Sequence, residues 1–347
     1  MSQDFGQQII SQFDSVRSRF DSLYSQAQLS DVSNAVNNLT RDIGSLPTDI
    51  ASVRSRGYAF ASYLEHKAEV LAQNWNSLRA NVESSLSMEI SRLTSEVNQL
   101  RYRIDAAEAL RGNPNALQGQ LPALEDAVQR LESLRSSAQS RLENIYSTLQ
   151  NDTAQTHDQL QQIKWYLDQR DEAKFPFLQG EALFLAAKAE WELGREHPNG
   201  ILYLTDQRLL FEEKETVGKT LGLFGGKKVQ ELKLNLPLNQ VQKVDPENKG
   251  FLGGKDILHF TLAAGAPYAQ ITVEVKGGVK SKFWAAQIQR MIEGKTSDER
   301  AIQPDKETIE ALQKAPTACP SCGGTLPQLV AGQRQTECPY CGAVVRI

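Results

Sequence analysis

"GILYLTDQRLLF", Gly200 to Phe211, has two arms of apolar residues on either side of a short polar tetrad. Leu202 and Leu204 on the first arm, and Leu209 and Phe211 on the second, are spaced by two, so each pair falls on one face of an extended chain. Between them "TDQR" supplies Thr205 and Asp206, side chains that hydrogen-bond their own backbone in tight turns. The stretch therefore predicts an antiparallel strand pair with one face turned into a core.

Similar short runs flank it: "ALFLAAKAEWEL" before, and "VQELKLNL", "ILHFTLAA" and "AQITVEVKG" after. They are rich in β-branched and aromatic residues and are separated by Gly, Pro, Asn and Asp. "KSKFWAAQIQRMIE" then sets Phe283, Trp284, Ile288, Met291 and Ile292 at helical spacing. The pattern from about Phe175 to Ile292 predicts a small barrel plugged by its own C-terminal helix.

Upstream the periodicity is helical. Phe5, Ile9, Phe13, Val16, Phe20 and Leu23 recur by threes and fours. Ser30, a good N-cap, opens a second helix with Val32, Val36, Leu39 and Ile43 on one side, expected to end near Gly44, before Pro47. A third is expected from about Pro47 to Leu110, with Trp75, Leu78, Val82, Leu86, Ile90, Leu93, Val97, Leu100, Ile104 and Ala107 in a heptad-like seam. "RGNPNALQGQLP" interrupts it, and Leu121, Leu124, Val128, Leu131, Ala138, Leu142, Ile145 and Leu149 rebuild the seam in a helix from about Pro122 to Gln169. Two such helices should fold back as an antiparallel hairpin or coiled coil, about 70 to 95 Å long at 1.5 Å per residue. Arginines interleaved with acidic residues favour partner helices over a membrane-lying face, including self-association into a homo-oligomer.

The 347 residues exceed one ordinary domain, and a net charge of -4 is too mild to imply a nucleic-acid binder. No apolar run is long enough to span a bilayer and the N-terminus lacks a basic head and apolar core, so a cytoplasmic location is expected. No phosphate-cradling loop, nucleophile elbow, HExxH or dinucleotide-binding glycine pattern occurs. His66, His157, His197 and His259 are scattered, and Glu212 and Glu213 read as solvated loop charge, so no enzyme is expected.

All four cysteines fall in "ACPSCGGTLPQLVAGQRQTECPYCGAVVRI". Cys319 and Cys322 form one CxxC and Cys338 and Cys341 another, with fifteen residues between the pairs, the spacing of a four-thiolate structural zinc site holding one Zn2+. Redox dithiols or an iron site are the alternatives. Gly323 and Gly342 allow the backbone to turn its amides towards sulfur. The segment from about Ala318 is similar to a zinc ribbon of the CPxCG type. Two arginines against one glutamate make it weak support for nucleic-acid binding.

"GILYLTDQRLLF", together with "LPLNQV" (Leu236 to Val241) and "KFWAAQI" ending at Ile288, resembles the bacterial PH-like or GRAM-like domain over about a third of the chain. The resemblance implies a module that binds lipid headgroups or protein segments and has no catalytic role. The expected architecture is multidomain α + β: a helical bundle or coiled-coil region at 1–172, a PH-like barrel at 175–293, a linker at 294–317 containing "PDKETIEALQKAP" as about three helical turns, and a zinc ribbon at 318–347.

Two expected loops repeat a phrase, "LFGGK" (Leu223 to Lys227) within Glu212 to Val229, and "FLGGK" (Phe251 to Lys255) within Asp245 to Ile257. Apolar Leu223, Phe224, Phe251 and Leu252 stand beside Lys219, Lys227, Lys228, Lys249 and Lys255, and Lys280 and Lys282 follow the last strand. Counting two strand traversals between the loops places all three groups on one rim, where they would enter an anionic membrane surface; otherwise the aromatic tips close the barrel. The leading expectation is a peripheral membrane adaptor or scaffold at the inner face of the membrane. The alternatives are a protein-interaction hub without membrane contact and a nucleic-acid-associated ribbon protein.

Overall fold

The computed structural model describes residues 2–217, 227–249, 254–304, 315–330, 333 and 335–346. The chain divides into two compact units, one built from Met1–Pro47 and His66–His157, the other from Thr48–Glu65 and Asp158–Ile347.

In the first unit α1 (Ser2–Gln26) and α2 (Ser30–Ser55) run beside α3 (Tyr63–Glu108) and α5 (Leu121–Glu172), with the short α4 (Pro114–Gln118) at the α3–α5 connection. Arg141 pairs with Glu89, Arg103 donates to the Ala123 carbonyl and Lys67 to Gln155, so α3 and α5 are antiparallel. Arg19 pairs with Glu132, Arg17 with Glu108, and the Trp75 indole donates to Thr40, so α1 and α2 cover one face of that pair. Ile9, Phe13, Val16, Phe20 and Leu23 are buried as their spacing requires, whereas Phe5 is exposed. Most of the two long seams is buried too, but Leu78, Ile90 and Ile145 are only partly covered.

The second helix does not stop at Gly44. It continues through Pro47 to Ser55, because Leu46, Ile50 and Val53 carry its buried stripe onward. Burying three such side chains outweighs the roughly 3 kcal/mol that an interior proline costs by losing one amide bond and crowding the preceding turn.

The break comes instead at Arg56 to Ser62. Gly57 at φ 84° ends α2, its amide bonding the Arg54 carbonyl while the Tyr58 amide bonds the Val53 carbonyl; this paired pattern needs a left-handed residue, which glycine supplies without strain. Arg54 then donates to the Tyr58 and Ala61 carbonyls at 2.9 Å each and grips Glu65 at 2.7 Å, which holds the Glu65 carboxyl below its ordinary range.

This elbow packs on the strands of the second unit. Tyr58 donates to the Phe184 carbonyl at 3.2 Å, Phe60 meets the Phe184 ring edge-on at 4.9 Å, and Arg300 lies 5.2 Å from the Phe60 ring centre. The Ala301 amide bonds the Ala59 carbonyl and the Ser62 amide bonds that of Glu299. Residues 299–302 are therefore pinned against the elbow, which departs from the linker expected there; 305–314, which hold most of the helical turns expected in that linker, lie outside the described residues. Phe60→Ala is expected to cost about 3–5 kcal/mol in urea unfolding, the usual loss for a fully buried aromatic.

The strands form a seven-stranded antiparallel sheet in the order β4-β3-β2-β1-β7-β6-β5. They are β1 (Leu183–Glu192), β2 (Asn199–Thr205), β3 (Arg208–Val217), β4 (Lys227–Pro237), β5 (Val241–Lys249), β6 (Lys255–Leu262) and β7 (Gln270–Val275). β1 pairs with β2 along Leu183 to Glu190 and with β7 along Ala189 to Glu192, so this one strand joins both halves of the sheet. Its first half is buried on both faces, one side inward and the Phe184 side against the elbow. α6 (Ser281–Ile292) packs on β5 and β6 through Trp284, Ala285, Ile288 and Met291, with Phe283 left exposed. Strand order and the terminal helix are those of a PH-like fold. Pro246 sits in β5 at the edge of the sheet, where an absent amide costs no ladder bond.

Candidate functional site

The "TDQR" turn is the structural knot of the barrel. Thr205 Oγ1 accepts from the amides of Gln207 at 3.1 Å and Arg208 at 2.8 Å. The turn aims the Arg208 guanidinium inward onto Glu181, with Nε–Oε1 at 2.9 Å and Nη2–Oε2 at 2.6 Å. Their side chains are 6% and 0% exposed. Asn235 Oδ1 accepts from Nη1 and the Pro176 carbonyl shares Nη2 with Glu181, while Thr205 and the Leu178 amide donate to the carboxylate. A fork-to-fork ion pair with every lone pair met is what makes two buried charges tolerable. Asp206 accepts from the Ala182 amide and pairs with Arg300, yet burial raises its carboxyl above the ordinary value.

Glu212 corrects the expectation of solvated loop charge. It lies inside β3, fully buried, accepting from the Lys174 amide at 2.7 Å, the Tyr203 hydroxyl at 3.2 Å and Gln230 at 3.1 Å. Burial, then the Glu212 charge, pushes the Tyr203 hydroxyl well above its usual range. Gly200 makes room for this: a Cβ there would stand 1.9 Å from the Glu212 carbonyl oxygen. Both Glu181 and Glu212 are met by surrounding donors and act as fastenings. The histidines are likewise engaged at the surface, His259 with Glu247 at 2.9 Å and Thr272 at 3.2 Å, His197 near Glu190 at 3.6 Å, and His157 with the Asp42 carbonyl at 2.9 Å.

The strand ends that flank the two repeated phrases lie at opposite ends of the sheet. Following the antiparallel pairings from β1, the β3–β4 hairpin closes at the end towards which β1 runs, and the β5–β6 hairpin closes at the other. The chain passes from one sheet edge to the other through the single 3-10 turn Leu238–Gln240, so counting traversals fails. The loops are also shorter than expected, since Glu212–Val217 and Lys227–Val229 are strand, as are Asp245–Lys249 and Lys255–Ile257.

Lys219, Leu223, Phe224, Phe251 and Leu252 lie outside the described residues. Lys227 opens β4. Lys255 pairs with Glu274 at 2.7 Å and Lys280, at the start of α6, with Asp256 at 3.5 Å. Asp256 also accepts from the Ser281 amide, and Ser281 donates to the Glu247 carbonyl, which brings Lys280 and Lys282 to the β5–β6 end. Lys228, Lys249 and Lys282 are exposed and without an ion pair among the described residues.

The four cysteines do meet. Their sulfurs all lie within 4.8 Å of one another, with Cys319–Cys341 at 3.7 Å and Cys322–Cys338 at 3.6 Å. That is the edge of a tetrahedron, about 3.8 Å for a metal–sulfur length of about 2.3 Å, and far beyond the roughly 2.05 Å of a disulfide. Each CxxC is closed by a left-handed glycine, Gly323 at φ 73° and Gly342 at φ 71°, whose amides bond the Cys319 and Cys338 carbonyls. The Ser321 amide points at Cys319 Sγ, 3.4 Å away, and is the largest influence lowering that thiol to about 6. The donor set fits a metal ion such as zinc. Around it Leu326 and Val345 complete a very small core beside β8 (Gln335–Glu337) and β9 (Val344–Arg346). The Leu178–Val330 bridge and the Gln179 amide on the Leu329 carbonyl seat the module against the chain that leads into β1.

No protein-family profile matches the chain, and comparison with curated proteins gives no match. Among solved structures it is similar to the Vps36 N-terminal PH domain, at 15% identity and a TM-score of 0.24, covering 34% of this chain and 83% of that one. A pleckstrin homology domain from Shewanella amazonensis is 18% identical over 38% of this chain and 97% of its own, TM-score 0.23. The linker-DH/PH domains of p115-RhoGEF align over 81% of this chain and 98% of theirs, at 10% identity and a TM-score of 0.25. The description of the barrel as PH-like accordingly rests on the chain's own strand order and terminal helix.

Proposed function

We propose that this protein is a non-enzymatic, cytoplasmic adaptor whose PH-like barrel binds a protein segment, with the helical unit as a second binding surface and one structural Zn2+ in the four-cysteine module. The observation that carries the choice of protein over membrane is the placement of the two hairpins at opposite ends of the sheet. A flat anionic surface meets one end of a barrel at a time. At the β5–β6 end the lysines Lys255 and Lys280 are already offset by Glu274 and Asp256. Four thiolates fill a tetrahedral ion's coordination, so the metal has a structural role and leaves no position for a substrate.

Sedimentation with phosphatidylcholine vesicles, with and without phosphatidylserine, is the test. The protein is expected to stay in the supernatant in both cases. Phosphatidylserine-dependent pelleting that is lost on replacing Phe224, Phe251, Lys227 and Lys255 together would establish the membrane adaptor instead. Lys249 and Lys282, both without an ion pair among the described residues and at one end, support that second reading, at about 1 kcal/mol per lysine near an anionic surface.

A further inference from the structure

Among the described residues, α1 and α2 cover one face of the α3–α5 pair. Along the other runs a groove of three connected hollows of about 560, 380 and 340 Å³, the first two sharing Arg92 and Arg141 and the last two sharing Ile145. It extends from Asn74 to Arg103 on α3, about 44 Å at 1.5 Å per residue. Its apolar lining includes the seam residues that the bundle leaves partly open, Leu78 and Ile145, with Leu134, and the 63%-exposed Met88 stands at its edge. The 560 Å³ hollow carries four arginines, Arg92, Arg103, Arg130 and Arg141, against Glu96 and the nearby Glu89. Arg141 is held by Glu89 at 2.6 Å and Arg103 by the Ala123 carbonyl, while Arg92 and Arg130 have no ion-pair partner among the described residues.

We infer that this groove receives an acidic amphipathic helix of a partner protein. A long trough between two antiparallel helices, apolar at the bottom and basic along the sides, accepts a further helix that lays its apolar stripe inward and its carboxylates beside the guanidinium groups. The net positive charge is local, on a chain whose overall charge is -4. A second copy is disfavoured: joining two such grooves about a twofold axis would bring the central Arg92 and Arg141 against their own copies. The inference stands on the helical unit alone and is independent of what the barrel binds.

The test uses the full chain and two synthetic three-heptad peptides with leucine at the core positions, one flanked by glutamate and one by lysine, read by fluorescence anisotropy. The glutamate peptide is expected to bind, weakening with added salt, and the lysine peptide is not. Arg92→Ala with Arg130→Ala should weaken binding by about ten-fold, as loss of two partly exposed charge pairs does. Leu134→Asp should abolish it. Both arginines are exposed, so circular dichroism and thermal unfolding of the double variant should match the parent. Equal binding of the two peptides, no binding of either, or an unchanged affinity in the double variant would overturn the inference. So would sedimentation showing a dimer of the chain that dissociates on the same substitutions, because the occupant would then be a second copy.

Discussion

Replacing Cys338 with serine is expected to empty the four-cysteine module of zinc and unfold 318–347 while the rest of the chain keeps its structure. The module's buried core consists of Cys319, Leu326, Cys338 and Val345, and its two strands are three residues each. So few apolar contacts cannot offset the chain entropy of thirty residues. The ion has to supply the difference, and structural zinc sites of this kind contribute on the order of 10 kcal/mol. Metal content should be one zinc per parent chain and none in the variant. Amide hydrogen exchange should lose its protection in 335–346 but not in β1 to β7, and a strong chelator should reproduce the effect in the parent. A module that stays protected without metal, or that carries iron, would overturn the zinc assignment.

The second large effect is expected at Arg208. Arg208→Ala leaves Glu181 buried, charged and short of its strongest partner, so urea unfolding should show a loss of about 3–5 kcal/mol. Glu181→Gln should cost a similar amount by orphaning the guanidinium. The pair Arg208→Met with Glu181→Leu should cost less than the sum of the singles, since neither buried charge is then left alone. Arg208→Lys should not rescue, because an ammonium cannot make both bonds of the fork. Additive losses would show that the two residues act separately.

Much of the architecture was legible because it depends on local pattern. The strand pair around "TDQR", the terminal helix with Trp284 and Ile288 inward, the antiparallel α3 and α5, and the cysteine cluster all follow from spacings of two, three or four residues. What spacing could not show is which residues face one another across the fold. Glu212 looks like surface charge in "EEKET", yet the Tyr203 hydroxyl and the Lys174 amide hold it in the core. The elbow "RGYAFAS" carries a glycine and two aromatics but no period, so the local pattern ends the helix near Gly44, eleven residues before its end at Ser55. The arginines of the groove were visible as residues, interleaved with acids along two helices. Only the antiparallel pairing of those helices brings Arg92 and Arg103 opposite Arg130 and Arg141.

The sequence by itself determined the parts: helices where apolar residues recur by threes and fours, strands where they alternate, and a tetrahedral thiolate site where two CxxC turns recur. Those are consequences of backbone geometry acting over a few residues. The tertiary structure decided where the parts meet. It put the strands that flank the two GGK phrases at opposite ends because β4 and β5 are opposite edges of one sheet, joined by a single turn. It drew the elbow between α2 and α3 onto β1, where the buried Phe60 and Phe184 rings meet edge-on at 4.9 Å. Both outcomes depend on side chains separated by many tens of residues, and no local period encodes them.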